Sequence, residues 1–176
     1  MNINKRQILV SIPILFILGT ILHFLFEISG NIKIIGLIAP VNESVWEHLK
    51  LAFFPILIWW LVKIFNGELE KRYKGLVSLA ISSVLSILTI LSFFYTYTGA
   101  IGIKSLILDI FSLFLGISIG QIVAYYTFKY ANIKKGYVYI SLIIIITILI
   151  LFFIFTFCPP QIPLFKDPTT GLYGIF

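Results

Sequence analysis

QILVSIPILFILGTILHFLFEI, residues 7–28, runs without a charge from Gln7 to Leu22 and then carries His23 and Glu27 before it ends. At 1.5 Å of rise per residue such a run reaches across about 30 Å of hydrocarbon as a helix. The apolar core exceeds the usual length of a signal-peptide h-region. No small-residue cleavage site follows it, so the segment is expected to stay in the mature protein although Lys5 and Arg6 precede it. His23 and Glu27 are therefore ionisable groups held near the end of a membrane span. A charge inside a bilayer costs ~3 kcal/mol even on lenient insertion scales, which marks such residues as a candidate site.

Four further stretches read the same way, at 44–65, 75–97, 103–129 and 136–157. The composition agrees: 60% of residues are hydrophobic and 11% charged, with a mean hydropathy of +1.07, against about 25% charge in soluble domains. The expected fold is all-α, a bundle of five transmembrane helices forming one integral membrane domain over residues 1–176, with an outer tail at 158–176. No internal repeat is visible, and an odd number of spans leaves no place for an inverted one. Basic residues set the orientation. Lys5, Arg6, Lys63, Lys71, Arg72, Lys74, Lys129, Lys134 and Lys135 flank one set of ends; Lys33, Lys104 and Lys166 flank the other. The positive-inside rule then places the N-terminus in the cytoplasm and the tail outside. The net charge of +6 is spread over these ends, which gives no reason to expect nucleic-acid binding. The single cysteine, Cys158, excludes an internal disulfide and any thiolate metal motif.

With that orientation, His23, Glu47, His48, Lys50 and Asp109 share one depth in the outer half of the bundle. His23 and Glu27, four residues apart, present two ligand types from one helix face. Asp109, in ILDIF, has a side chain too short to reach the interface and requires a partner: Lys50, or a cation. The segment PVNESVWEHLK, residues 40–50, is the densest polar stretch. Ser44 and Glu47 form a capping box, so helix capping accounts for Glu47 as well as chemistry does. Glu47 and His48 lie about 100° apart around the helix and are not expected to face one centre. Lys50 either pairs with Glu47 or extends to the headgroups. In the tail CPPQIPLFKDPTTGLYGIF, 158–176, the prolines stop the helix. Its apolar residues suit either an interface anchor or a lid that brings Asp167 toward the cluster.

These residues define a candidate metal set of His23, Glu27, His48 and Asp109, with Glu47 as base and Glu43, Lys50 and Asp167 completing the polar cluster. Imidazole with carboxylate favours Zn2+. The chemistry expected is metal-assisted hydrolysis of a lipid or lipid-linked substrate from the bilayer. The alternatives are a proton- or cation-coupled transporter, and a non-enzymatic envelope interaction protein whose charges fix helix register. Ser78, Ser82, Ser86 and Thr89, and the pair Gly116 and Gly120, read as helix-packing stripes; the glycine pair suits either a neighbouring helix or a homo-oligomer.

Three segments, HFLFE at 23–27, PVNESVWEHLK at 40–50 and PPQIPLFKDPTTGLYGI at 159–175, together make the chain resemble an uncharacterised family of small bacterial multispanning membrane proteins. The resemblance covers the whole chain. It implies a bacterial cytoplasmic membrane location and carries no activity.

Overall fold

A computed structural model of the protein describes residues 3–67, 69 and 71–175. Phe176, at the end of the expected tail, and the Lys135 side chain, among the basic residues used for orientation, lie outside the described residues.

Helix α1 spans Lys5–Ile28 and opens on a capping box. Asn4 Oδ1 accepts from the Gln7 amide at 2.8 Å while Gln7 Oε1 accepts from the Asn4 amide at 3.0 Å, which satisfies two first-turn donors at once. The second span is split: one turn, α2 (Val45–His48), runs through Leu49 into α3 (Lys50–Phe65). Helices α4 (Arg72–Ile101), α5 (Leu106–Tyr130) and α6 (Lys135–Phe157) follow. Five helices are thus long and apolar enough to cross a membrane, at Lys5–Ile28, Val45–Phe65, Arg72–Ile101, Leu106–Tyr130 and Gly136–Phe157, as a multi-pass membrane protein requires. Helix α4 has 30 residues and overruns the expected 75–97 at both ends. It stops where Gly102 takes φ +79°, a left-handed cap that costs glycine nothing. Among the described residues there is no strand, only an isolated bridge between Lys166 and Tyr173.

The central helix is α3, on which Phe53, Ile56 and Trp60 have no exposure. Two close approaches lock its neighbours around it. Pro55 has no amide hydrogen, so the Leu51 carbonyl loses its helical donor. Gly19 of α1 lies directly over that carbonyl; a Cβ there would be 2.5 Å from the Leu51 oxygen. This contact fixes α1 one turn before His23. On the other side, α5 meets α4 through its two glycines. A Cβ at Gly120 would lie 2.6 Å from the Ser82 carbonyl oxygen and one at Gly116 2.9 Å from that of Ser86. Ser86 Oγ donates to the Gly116 carbonyl at 2.9 Å. The serine stripe and the glycine pair therefore pack on each other within the chain. At the opposite end from the tail, Lys74 donates to the carbonyls of Phe128 and Ala131 at 3.3 and 2.8 Å, closing the end of α5.

The tail folds back over the bundle. A 3-10 turn at Pro163–Phe165 sets the Phe165 ring 4.9 Å from the Trp46 ring and 5.1 Å from that of Phe155. The Ile175 amide donates to the Thr156 carbonyl at 3.0 Å.

Candidate functional site

The end of the bundle where α1 finishes and α2 and α5 begin collects the polar residues. Ser44 is the N-cap of α2, with ψ 151°. Its hydroxyl accepts from the Glu47 amide at 3.3 Å, one half of the expected capping box. The extended backbone at Ser44 turns Glu43 back across the first helical turn, to the side occupied by His48. His23, one turn beyond the Gly19 contact, faces the same point from α1.

The result is a three-residue cluster. His23 Nε2 and His48 Nε2 are 3.1 Å apart. Glu43 spans them, one oxygen 3.7 Å from His23 Nε2 and the other 3.4 Å from His48 Nε2. One ligand atom from each residue can be chosen so that all lie within 4.8 Å of one another. A tetrahedral zinc with bonds of 2.0–2.1 Å places its ligand atoms about 3.3 Å apart, so these separations suit one small cation with modest adjustment. Both rings are part-buried and Glu43 is half exposed, which leaves one side of the cluster accessible.

The hydrogen bonds fix the chemistry of the rings. His48 Nδ1 lies 2.8 Å from the Ser44 carbonyl oxygen; a carbonyl can only accept, so Nδ1 carries the proton. In the neutral ring Nε2 then presents its lone pair to the cluster, the arrangement that outer-shell partners impose on metal-binding histidines. His23 Nδ1 is buried without a hydrogen-bond partner. When His48 takes up a second proton its Nε2 donates to Glu43, and this contact holds the Glu43 carboxyl below the usual glutamate range, against the opposing effects of burial and the Asp167 carboxylate. It is ionised at neutral pH.

The other residues singled out in the sequence stand outside the cluster, although the Asp167 carboxylate lies close enough to act on Glu43 through space. Glu27 is exposed. Asp109 is part-buried and accepts a short hydrogen bond from the Tyr97 hydroxyl, which itself accepts from the Ser105 amide at 3.4 Å. Glu47 and Lys50 form a buried pair at 2.6 Å. All three Lys50 donors are used, on Glu47, the Gly36 carbonyl at 2.8 Å and the Thr156 hydroxyl at 2.7 Å. Glu47 also accepts from the Val41 amide at 3.0 Å. This knot ties the 36–41 loop, the second span and α6 together, and its satisfied partners make it a structural element. Asp167 closes its own turn. Burial pushes its carboxyl up, but bonds from the Thr169 amide and hydroxyl and the Thr170 hydroxyl, at 2.8, 2.7 and 2.8 Å, bring it below the usual aspartate range.

Of the sequence-derived metal set the structure brings His23 and His48 together and adds Glu43. Glu43 was visible only as part of the polar cluster, because its approach to His48 depends on the extended backbone at Ser44 and not on a helical spacing. Thr156 and Gly36, which complete the Lys50 knot, carry no sequence signal at all.

The chain belongs to a family of unknown function, DUF6512, which it matches over residues 1–175. No curated protein and no solved structure matches it.

Proposed function

We propose that this family member binds a divalent cation, zinc preferred, through His23, Glu43 and His48 on the extracytoplasmic side of the bacterial cytoplasmic membrane. The observation that carries the reading is the convergence of two imidazole nitrogens and one carboxylate from separate segments within ligand range of one point. The set is borderline-soft nitrogen with hard oxygen, which suits zinc. Its single negative charge leaves a cation partly uncompensated, as at sites where bound water is acidified. Orientation rests on the basic residues: those nearest the site are few, and the cluster at Lys63, Lys71, Arg72, Lys74, Lys129 and Lys134 lies at the other end.

Three protein ligands leave a fourth tetrahedral position for water, the pattern of catalytic zinc sites. A cation held by His23, Glu43 and His48 would supply a water of lowered pKa there. The chemistry such a site would supply is hydrolysis of a lipid-like ester within reach of the headgroup region, in which water would add to the acyl or phosphoryl centre, the bond from that centre to the ester oxygen would break, and the departing oxygen would take the water's proton. Glu47 takes no part as base in this scheme, since Lys50 holds it. Elemental analysis of detergent-purified protein tests the binding. About one zinc per chain is expected in the parent and in Glu27→Ala, and none in His23→Ala. Zinc that persists in His23→Ala, or that disappears in Glu27→Ala, contradicts the assignment.

A further inference from the structure

The residue just before Glu43 connects the site to the opposite end of the chain. Asn42 uses both ends of its amide: Oδ1 accepts from the Ser44 amide at 2.9 Å, and Nδ2 donates to the Gly174 carbonyl at 2.9 Å. The Ser44 carbonyl in turn holds His48 Nδ1. One side chain therefore braces the peptide units on both sides of Glu43 and, through Ser44, the ring of His48. The acceptor on the tail is itself held rigidly. Gly174 has φ +71°, and a Cβ there would lie 2.9 Å from Pro159 Cδ and 3.0 Å from the Thr156 carbonyl oxygen. Its neighbour Ile175 is hydrogen-bonded to Thr156. Phe165, its ring tilted by 44° against that of Trp46, packs the tail onto α2.

We propose that Asn42 is a positioning residue that couples docking of the C-terminal tail to cation affinity at His23, Glu43 and His48. The proposal rests on the cation reading of that cluster and adds its regulation. With the tail docked, Asn42 is anchored and the turn around Glu43 is pre-set for the ligand geometry. With the tail released, the Nδ2 anchor is lost, and the cation must then order the turn itself. Coupling of binding equilibria is reciprocal: if docking raises affinity, the cation stabilises the docked tail by the same factor.

The test uses full-length protein in detergent, with zinc affinity read by competition with a chelating dye and tail docking by hydrogen exchange of the C-terminal peptide containing the Ile175 amide. Asn42→Ser keeps an oxygen that can accept from the Ser44 amide but cannot span to Gly174. It is expected to weaken zinc binding about tenfold or more, the scale of outer-shell losses at metal sites. Gly174→Ala attacks the contact from the tail and should weaken binding to a similar degree. The double variant should bind no more weakly than the worse single one, because both break one link. Zinc should slow exchange of the C-terminal peptide in the parent and not in Asn42→Ser. Gly120→Ala, a packing change on α5 in the middle of the bundle, should keep parental affinity.

Parental affinity in both single variants, additive losses in the double, exchange indifferent to zinc in the parent, or an equal loss in Gly120→Ala each overturns the coupling while leaving the cation site standing. Failure of the parent to bind zinc at all overturns the site and the coupling together.

Discussion

His23 Nε2 and His48 Nε2 meet at 3.1 Å across the interface of the first two membrane spans. With Glu43 beside them, this contact gives the cation reading its clearest pH signature. Both rings must be neutral to bind metal. Zinc affinity is expected to be flat at alkaline pH, where both rings are neutral. As pH falls through the protonation of the two rings it should drop, with a limiting slope approaching two decades per unit once both protons compete. Glu43 stays ionised throughout that range, because His48 holds its pKa below the ordinary 4.5. A limiting slope that stays near one in acid would indicate that only one of the two rings binds.

The depressed Glu43 pKa also has a stability consequence. A carboxyl whose folded pKa lies below its unfolded value contributes stability that is fully present above the unfolded value, and loses it as pH falls through the folded one. In cation-free protein the contribution is therefore intact above pH 4.5 and declines below it. Melting temperatures of the parent and Glu43→Gln, measured in detergent, should differ above that pH and converge in stronger acid.

Lys50 should be the most stability-sensitive charge in the chain. Lys50→Met leaves Glu47 buried without its cation and is expected to cost ~3–5 kcal/mol. The double variant Glu47→Gln, Lys50→Met should recover most of that loss and still bind zinc, since the knot lies apart from the ligand atoms. Thermal melting with parallel zinc analysis checks both statements. Loss of zinc in the recovered double variant would bring Glu47 back into the site.

Gly19 and Gly120 sit in equally close helix contacts with different consequences. Alanine at either position forces helices apart, at a cost of ~1–3 kcal/mol. Only Gly19→Ala moves the segment that carries His23, so it should weaken zinc binding, whereas Gly120→Ala should not. Comparable affinity in both variants would mean that the Leu51 contact does not set the His23 position.

The number of spans could be read from the sequence because membrane-spanning length is a property of composition alone, and five helices are long and apolar enough to cross a membrane. Helix rise placed the polar residues toward one end of the bundle. Their partners did not follow from it. His23 and His48 meet one turn beyond the point where Gly19 lets α1 rest on the carbonyl freed by Pro55, a contact between segments far apart in the chain. Asp109 required a partner, and Tyr97, on the preceding helix, supplies it in place of Lys50. Glu27 satisfies the i, i+4 spacing with His23 yet lies exposed, since that spacing gives a shared helix face but not the face the neighbouring helix meets.

Orientation can be checked on the exposed single thiol, Cys158. An impermeant maleimide added to intact bacterial cells should label it, as it labels the solubilised protein. Labelling only after access is opened to the cytoplasm would place the cation site on the inner side.

Zinc-edge X-ray absorption of protein loaded with one equivalent of zinc tests the central claim most directly. The account predicts a first shell of two imidazole nitrogens with oxygen ligands at about 2.0–2.2 Å. His48→Ala should lose one imidazole, and Glu43→Gln should alter the oxygen contribution while keeping both rings. An oxygen-only shell in the parent, or a two-imidazole shell that survives in His48→Ala, would contradict the site formed by His23, Glu43 and His48.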